Sequence, residues 1–221
     1  MKRFGLLLLA ITLMLGGNAF AQNVGDNSVY FVIYYSNANT TGAPDGTLRI
    51  INDGDFTGCG VPGTAEAACD GPSLPLYADI YVFDDSQEMI SCCTCPITAD
   101  GLLSESVNKQ LTSNTFTGRA EIQRGVIKVI SSNDSEPETP IPTTGLRGWM
   151  THIQATTNNI PATKSGPDGS KGPWFVTETA LADSNLTELE ESNLAAVCSY
   201  GISSIGSGYG ACPCTPEDYD F

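Results

Sequence analysis

The stretch "SVYFVIYYSN", Ser28–Asn37, decides the reading of this chain. Val29, Tyr30, Phe31, Val32, Ile33, Tyr34 and Tyr35 follow one another with no polar residue between them. β-Branched and aromatic side chains suit a pleated backbone. An apolar run without alternation predicts a strand covered on both faces.

Working outward, the turn-rich "ANTTGAPDG" leads to a second strand, "TLRIIN" (Thr47–Asn52), and "LYADIYVFD" (Leu76–Asp84) reads as a third. "TFTGRAEIQ" (115–123) and "GVIKVISS" (125–132) suggest a hairpin turning near Arg124-Gly125. "GLRGWMTHIQA" (145–155) and "PWFVTET" (173–179) complete the set. Short strands separated by Gly, Pro and Asn turns predict an all-β fold, an antiparallel β-sandwich. It is immunoglobulin-like by analogy alone, because the Cys…Trp…Cys spacing of that architecture is missing. Thr187-x-x-Glu190 reads as a capping box opening one C-terminal helix, with Leu189, Leu194, Val197 and Cys198 as its apolar stripe and Gly201 as its end. A weaker helical stretch covers Leu102–Leu111, and the acidic, Pro-rich segment 131–145 reads as a long surface loop within one domain spanning 22–221.

The N-terminus carries Lys2 and Arg3, an apolar run from Leu6 to Leu15 and the small-residue pattern Ala19-Phe20-Ala21. This is the form of a secretory signal peptide, residues 1–21, cut after Ala21. The run is short for a membrane span and no longer one follows, so no membrane-spanning segment is expected. Residues 1–21 contain no acid, so their removal takes the net charge from −15 to −17. That charge repels nucleic acid and anionic lipid and keeps an exported chain soluble. Charged residues are only 16% of the chain, so its surface relies on neutral polar groups.

Export determines how the cysteines are read. Cys59, Cys69, Cys92, Cys93, Cys95, Cys198, Cys212 and Cys214 are even in number, which in an oxidising compartment favours disulfides. Cys59 and Cys69 flank a small-residue loop and are expected to pair. Joining the triplet 92, 93, 95 to the set 198, 212, 214 would staple helix and tail onto a sheet edge, with fifteen connectivities open for these six. Neither C-x-C nor Cys-Cys has zinc-ligand spacing, and the sequence carries no cofactor motif. Asp53 and Asp55 form a D-x-D that lacks the other ligands of a calcium loop and reads as a solvated turn.

A catalytic triad would have to use the single histidine, His152, which sits in a strand pattern and reads as a histidine hydrogen-bonded locally. Carboxylate pairs (Asp53/Asp55, Asp84/Asp85, Glu190/Glu191, Glu217/Asp218) are expected by chance in so acidic a chain. The sequons at Asn39, Asn133 and Asn185 matter only in a glycosylating host. Three functions follow. The first is a non-catalytic secreted structural or interaction protein, extracellular or on the cell surface. It would be a fibre subunit that self-associates by strand pairing through Val29–Tyr35. The alternatives are a secreted polysaccharide hydrolase using a carboxylate pair and a carbohydrate- or calcium-binding module presenting Trp149 or Trp174.

Overall fold

The computed structural model describes residues 28–54, 74–119, 122–155, 174–205 and 209–214. In it the opening stretch forms β1 (Tyr30–Ser36), with Phe31, Ile33 and Tyr35 entering one apolar core and Tyr30 a second. The absence of polar alternation is explained at Tyr30 and Phe31, where both faces are covered, while Tyr34 on the outer face is half-exposed. The remaining strands are β2 (Thr47–Asn52), β3 (Leu76–Asp84), β4 (Met89–Ile97), β5 (Leu102–Ser106), β6 (Arg124–Ser132), β7 (Leu146–Ala155), β8 (Trp174–Ala180) and β9 (Ala182–Asp183), followed by helix α1 (Glu188–Ile205).

The strands make two sheets, ordered β4-β3-β6-β1-β9 and β5-β2-β7-β8, with every pairing antiparallel. The expected antiparallel sandwich is the architecture found. Its main core, between the sheets, takes Leu48 and Ile50 from β2, Ile80 and Val82 from β3, Ile127 and Val129 from β6 and Met150 from β7. Each such side chain contributes roughly 1.5–3 kcal/mol on burial. A second core lies on the outer face of the five-stranded sheet, where Tyr30, Tyr81 and Ile130 meet Leu194 and Cys198 of α1. The molecule therefore has three layers: sheet, sheet, helix. β8 and β9 are separated by Leu181 alone, so one continuous segment passes from one sheet to the other. Buried Leu181 marks the crossing, where its N–H donates to the Gly148 carbonyl at 2.9 Å.

Three local expectations are corrected. The described residues of segment 115–123 form no strand, and β6 is flanked instead by β1 and β3, strands distant in sequence. Leu102–Leu111 is not one helix but β5 followed by a short π-helical turn, Val107–Leu111. Its alternating Leu103 and Glu105 face inward, and Ser106 caps the turn by accepting from the Lys109 amide. Helix α1 does not stop at Gly201. The Thr187 hydroxyl accepts from the Glu190 amide at 3.1 Å as a cap should, but the helix runs on to Ile205. Gly201 is there for space, because a Cβ would lie 2.6 Å from the Phe116 ring. The inward stripe is Leu194, Cys198 and Gly201, whereas Leu189 and Val197 face solvent.

Candidate functional site

The cysteine pattern makes sense once Met89–Ile97 is a strand. Successive side chains on a strand point to opposite faces. Cys92 therefore enters the outer core beneath α1, while Cys93 and Cys95 enter the core between the sheets. The bridges follow: Cys92–Cys198 holds the helix, and Cys93–Cys212 and Cys95–Cys214 hold the tail. β4 is an edge strand, so triplet and C-terminal set do staple helix and tail onto a sheet edge. Backbone bonds reinforce this: Cys92 N donates to the Gly210 carbonyl at 2.8 Å, and Phe116 N to the Ile90 carbonyl at 2.7 Å. The sulfurs of Cys93, Cys95 and Cys214 lie within 4.8 Å of one another, which two adjacent bridges account for without a metal. Cys59, Cys69 and Asp55 fall outside the described residues.

The proposed assembly strand occupies a definite place. β1 pairs with β6 from Tyr30↔Ile130 to Ser36↔Arg124, and Val29 extends the contact by accepting from Ser131 N at 2.8 Å. On its other side β9 covers only Phe31 and Val32. The Tyr35 hydroxyl donates to the Phe83 carbonyl at 3.0 Å, which fixes the lower end of the strand. Phe31, Ile33 and Tyr35 are buried, so pulling β1 out of its own sheet would expose three core side chains at roughly 1.5–3 kcal/mol each.

His152 is not the locally hydrogen-bonded histidine that its sequence context suggests. It is buried, both ring nitrogens lack a hydrogen-bond partner among the described residues, and the ring stacks on half-exposed Tyr34 at 4.4 Å between centroids. Burial lowers its pKa by disfavouring the charged ring. Beside it the Ser36 hydroxyl and the Asn37 amide both donate to the Ile153 carbonyl, at 2.8 and 2.6 Å, and tie the end of β1 to β7. No nucleophile–histidine–acid arrangement lies here among the described residues.

The carboxylates are largely engaged in holding the fold. Asp84 accepts from the Ser86 and Glu88 amides at 2.9 and 3.0 Å, and Asp85 pairs with Arg124 at 2.8 Å. Glu190 receives the Tyr30 hydroxyl at 2.9 Å and the Lys128 ammonium, which holds its carboxyl below the usual range. Asp53, one half of the calcium candidate, is bonded to Arg147 Nε at 3.2 Å. Glu217 and Asp218 lie outside the described residues.

One acid went unremarked in the sequence. Asp79 is fully buried on β3, with its Oδ1 accepting from the Thr94 hydroxyl at 2.6 Å and its Oδ2 without a hydrogen-bond partner at normal distance among the described residues. Burial pushes its pKa up to about 7, against the opposing effect of the Thr94 and Ser132 hydroxyls, and the Asp134 and Glu138 charges add to the rise. Above it runs the loop after β6, pinned where the Tyr81 hydroxyl donates to the Pro137 carbonyl at 2.8 Å. The signal available in advance was an acid inside "LYADIYVF", where an apolar residue would pack.

The tryptophans and the sequon asparagines have definite places in the fold. Trp149 and Trp174 are half-buried, and their registers with Ala180 and Ala155 put them at opposite ends of the β7–β8 ladder. They stand roughly 20 Å apart at about 3.3 Å per residue. The Asn39 side-chain amide donates to Thr112 Oγ1 and the Ile122 carbonyl, both at 3.0 Å, so that sequon is used by the fold, while Asn133 and Asn185 are exposed. A cleft of about 200 Å³ between the sheets has Phe31, Leu146 and Leu181 in its apolar wall and Arg147 and Asp183 beside them.

Fold and surroundings together define a class: an antiparallel two-sheet protein whose helix and tail are disulfide-bonded to one sheet edge. Among the described residues no helix is long and apolar enough to cross a membrane. No family model matches the chain, and no curated protein matches it. A solved structure with partial likeness is the Anabaena sensory rhodopsin transducer, at 9% identity and a TM-score of 0.34, covering 56% of this chain and 95% of that one. A likeness that slight carries no argument about function.

Proposed function

We propose that this chain is a non-catalytic structural or interaction protein working outside the cytoplasm, at the cell surface or beyond it, as a subunit of a fibre assembled by β-strand pairing. The observation that carries this reading is the set of three bridges between β4 and the C-terminal helix and tail. Such bridges form and persist in oxidising compartments and suit a body that must last without chaperones. The engagement of the ionisable groups in caps and ion pairs agrees with a structural role. The N-terminal strand contributes to assembly from its place in the sheet, because leaving it would expose core. β9 pairs with only two of its residues, so the backbone from Ile33 to Ser36 has no ladder partner on that side among the described residues, although side chains of Tyr34 and Ser36 contact β7. A strand arriving there from a neighbour would make a heterologous contact, and such contacts grow filaments when they do not close into rings.

Negative-stain electron microscopy of the chain from Gln22 onward, concentrated without reductant, tests the reading. Regular fibres are expected. Discrete particles at every concentration would remove strand-mediated fibre assembly.

A further inference from the structure

Sheet edges present unpaired N–H and C=O groups, and natural proteins guard them with prolines, charges, bulges, short strands or covering segments. The four edges here carry such guards unequally. β4 contains Pro96 and is covered by Phe116, Gly210 and the bridged tail. β5 is five residues long with Glu105 buried on its inward face, and β9 has two residues. Among the described residues β8 carries one guard, the charge of Glu178, and that charge is bonded to Arg49. It is seven residues long, pairs with β7 in unbroken register, contains neither Pro nor Lys, and is exposed at five of its seven positions. Its outer side has no strand beside it among the described residues.

We propose that the outer edge of β8 is a homotypic docking surface, on which β8 of a second copy pairs antiparallel. The partner is a second copy because an antiparallel pair centred on Thr177 is self-complementary. It sets Phe175 against Thr179 and Val176 against Glu178, with no like charges directly opposite. Electrostatics select the same place. Two copies of a chain with net charge −15 repel over most of their surfaces. On β8 the single charge, Glu178, is already bonded to Arg49 at 3.1 Å. The contact is isologous and differs from any made by the N-terminal strand, so it stands or falls separately from the fibre reading.

Sedimentation velocity of the full mature chain, from micromolar to millimolar concentration and without reductant, reads the association. The test variant is Thr177→Lys with Thr179→Lys, both at exposed positions. Wild type is expected to form a dimer, and the variant to weaken it by about tenfold or more, because pairing sets the cation introduced at position 177 directly against its symmetry mate. Added lysines reduce the overall negative charge, so a general electrostatic effect would strengthen association and not weaken it. A wild type that stays monomeric throughout, or a dimer unchanged by the substitutions, overturns the proposal. An unchanged dimer would include capture of β8 by some other segment. Circular dichroism and a thermal melt verify folding, with Phe175→Lys as the second variant if the first fails. Fibres whose growth ignores these lysines would sink the β8 pairing alone. Discrete, lysine-sensitive dimers would sink the fibre reading alone.

Discussion

Replacing all six cysteines of the three bridges with serine is expected to remove roughly 10 kcal/mol of stability, on the order of the whole net stability of a domain. The contributions are unequal because the bridges interleave and close overlapping loops. The first to close constrains a loop with a sequence separation of 119, for which chain entropy gives roughly 4.7 kcal/mol. Once Cys93–Cys212 has formed, Cys95–Cys214 closes a loop of only a few residues and adds about 2 kcal/mol. Cys92–Cys198 then closes the stretch from Cys198 to Cys212, on the order of 15 residues, and adds about 3 kcal/mol. Chemical denaturation of the paired variants Cys95→Ser/Cys214→Ser and Cys92→Ser/Cys198→Ser, beside the six-fold variant, checks the ranking. The smallest loss is expected for the 95–214 pair, and a six-fold variant as stable as wild type would refute the stapling argument.

Asp79→Asn is the second large effect, and its sign depends on pH. The unfolded carboxyl titrates near 3.8 and the folded one near 7, because charge is disfavoured inside. A raised folded pKa gives stability that is fully present below the unfolded value and lost as pH rises through the folded one. A rise of that size corresponds to roughly 4 kcal/mol lost between about pH 4 and pH 8. Asparagine keeps the shape without the charge. The variant is expected to melt about 10 °C above wild type at pH 8 and close to it at pH 4. Thermal melts across that range check the prediction. Equal pH slopes in the two proteins would mean that the buried carboxyl is not the controlling group.

Much of the fold could be read from local pattern. Thr47–Asn52 and Leu76–Asp84 are strands with the bounds their β-branched and aromatic residues suggest. The single C-terminal helix starts where Thr187 places its cap. What escaped had tertiary causes. β4 was hidden because "MISCCTCPI" reads as a cysteine cluster before it reads as a strand, yet its alternation sends Cys92 one way and Cys93 and Cys95 the other. Gly201 resembles a helix stop, and only the Phe116 ring lying against it explains why the helix continues. Segment 115–123 has the composition of a hairpin arm, but the partners of β6 come from elsewhere in the chain, which no local signal reveals. Of the candidate site, the six bridging cysteines and β1 were legible. Asp79 and the Tyr34–His152 stack were not, because each depends on which strands lie side by side.

One face of β4 holds Cys92 and the opposite face holds Cys93 and Cys95, and the layering of helix and tail around the sheets depends on that alternation. Stepwise partial reduction and alkylation of the unreduced protein, followed by peptide mass spectrometry, tests this most directly. The expected pairs are Cys92–Cys198, Cys93–Cys212 and Cys95–Cys214. A bond between Cys92 and Cys93, or Cys92 joined to the tail in place of the helix, would contradict the strand alternation and the three-layer arrangement built on it.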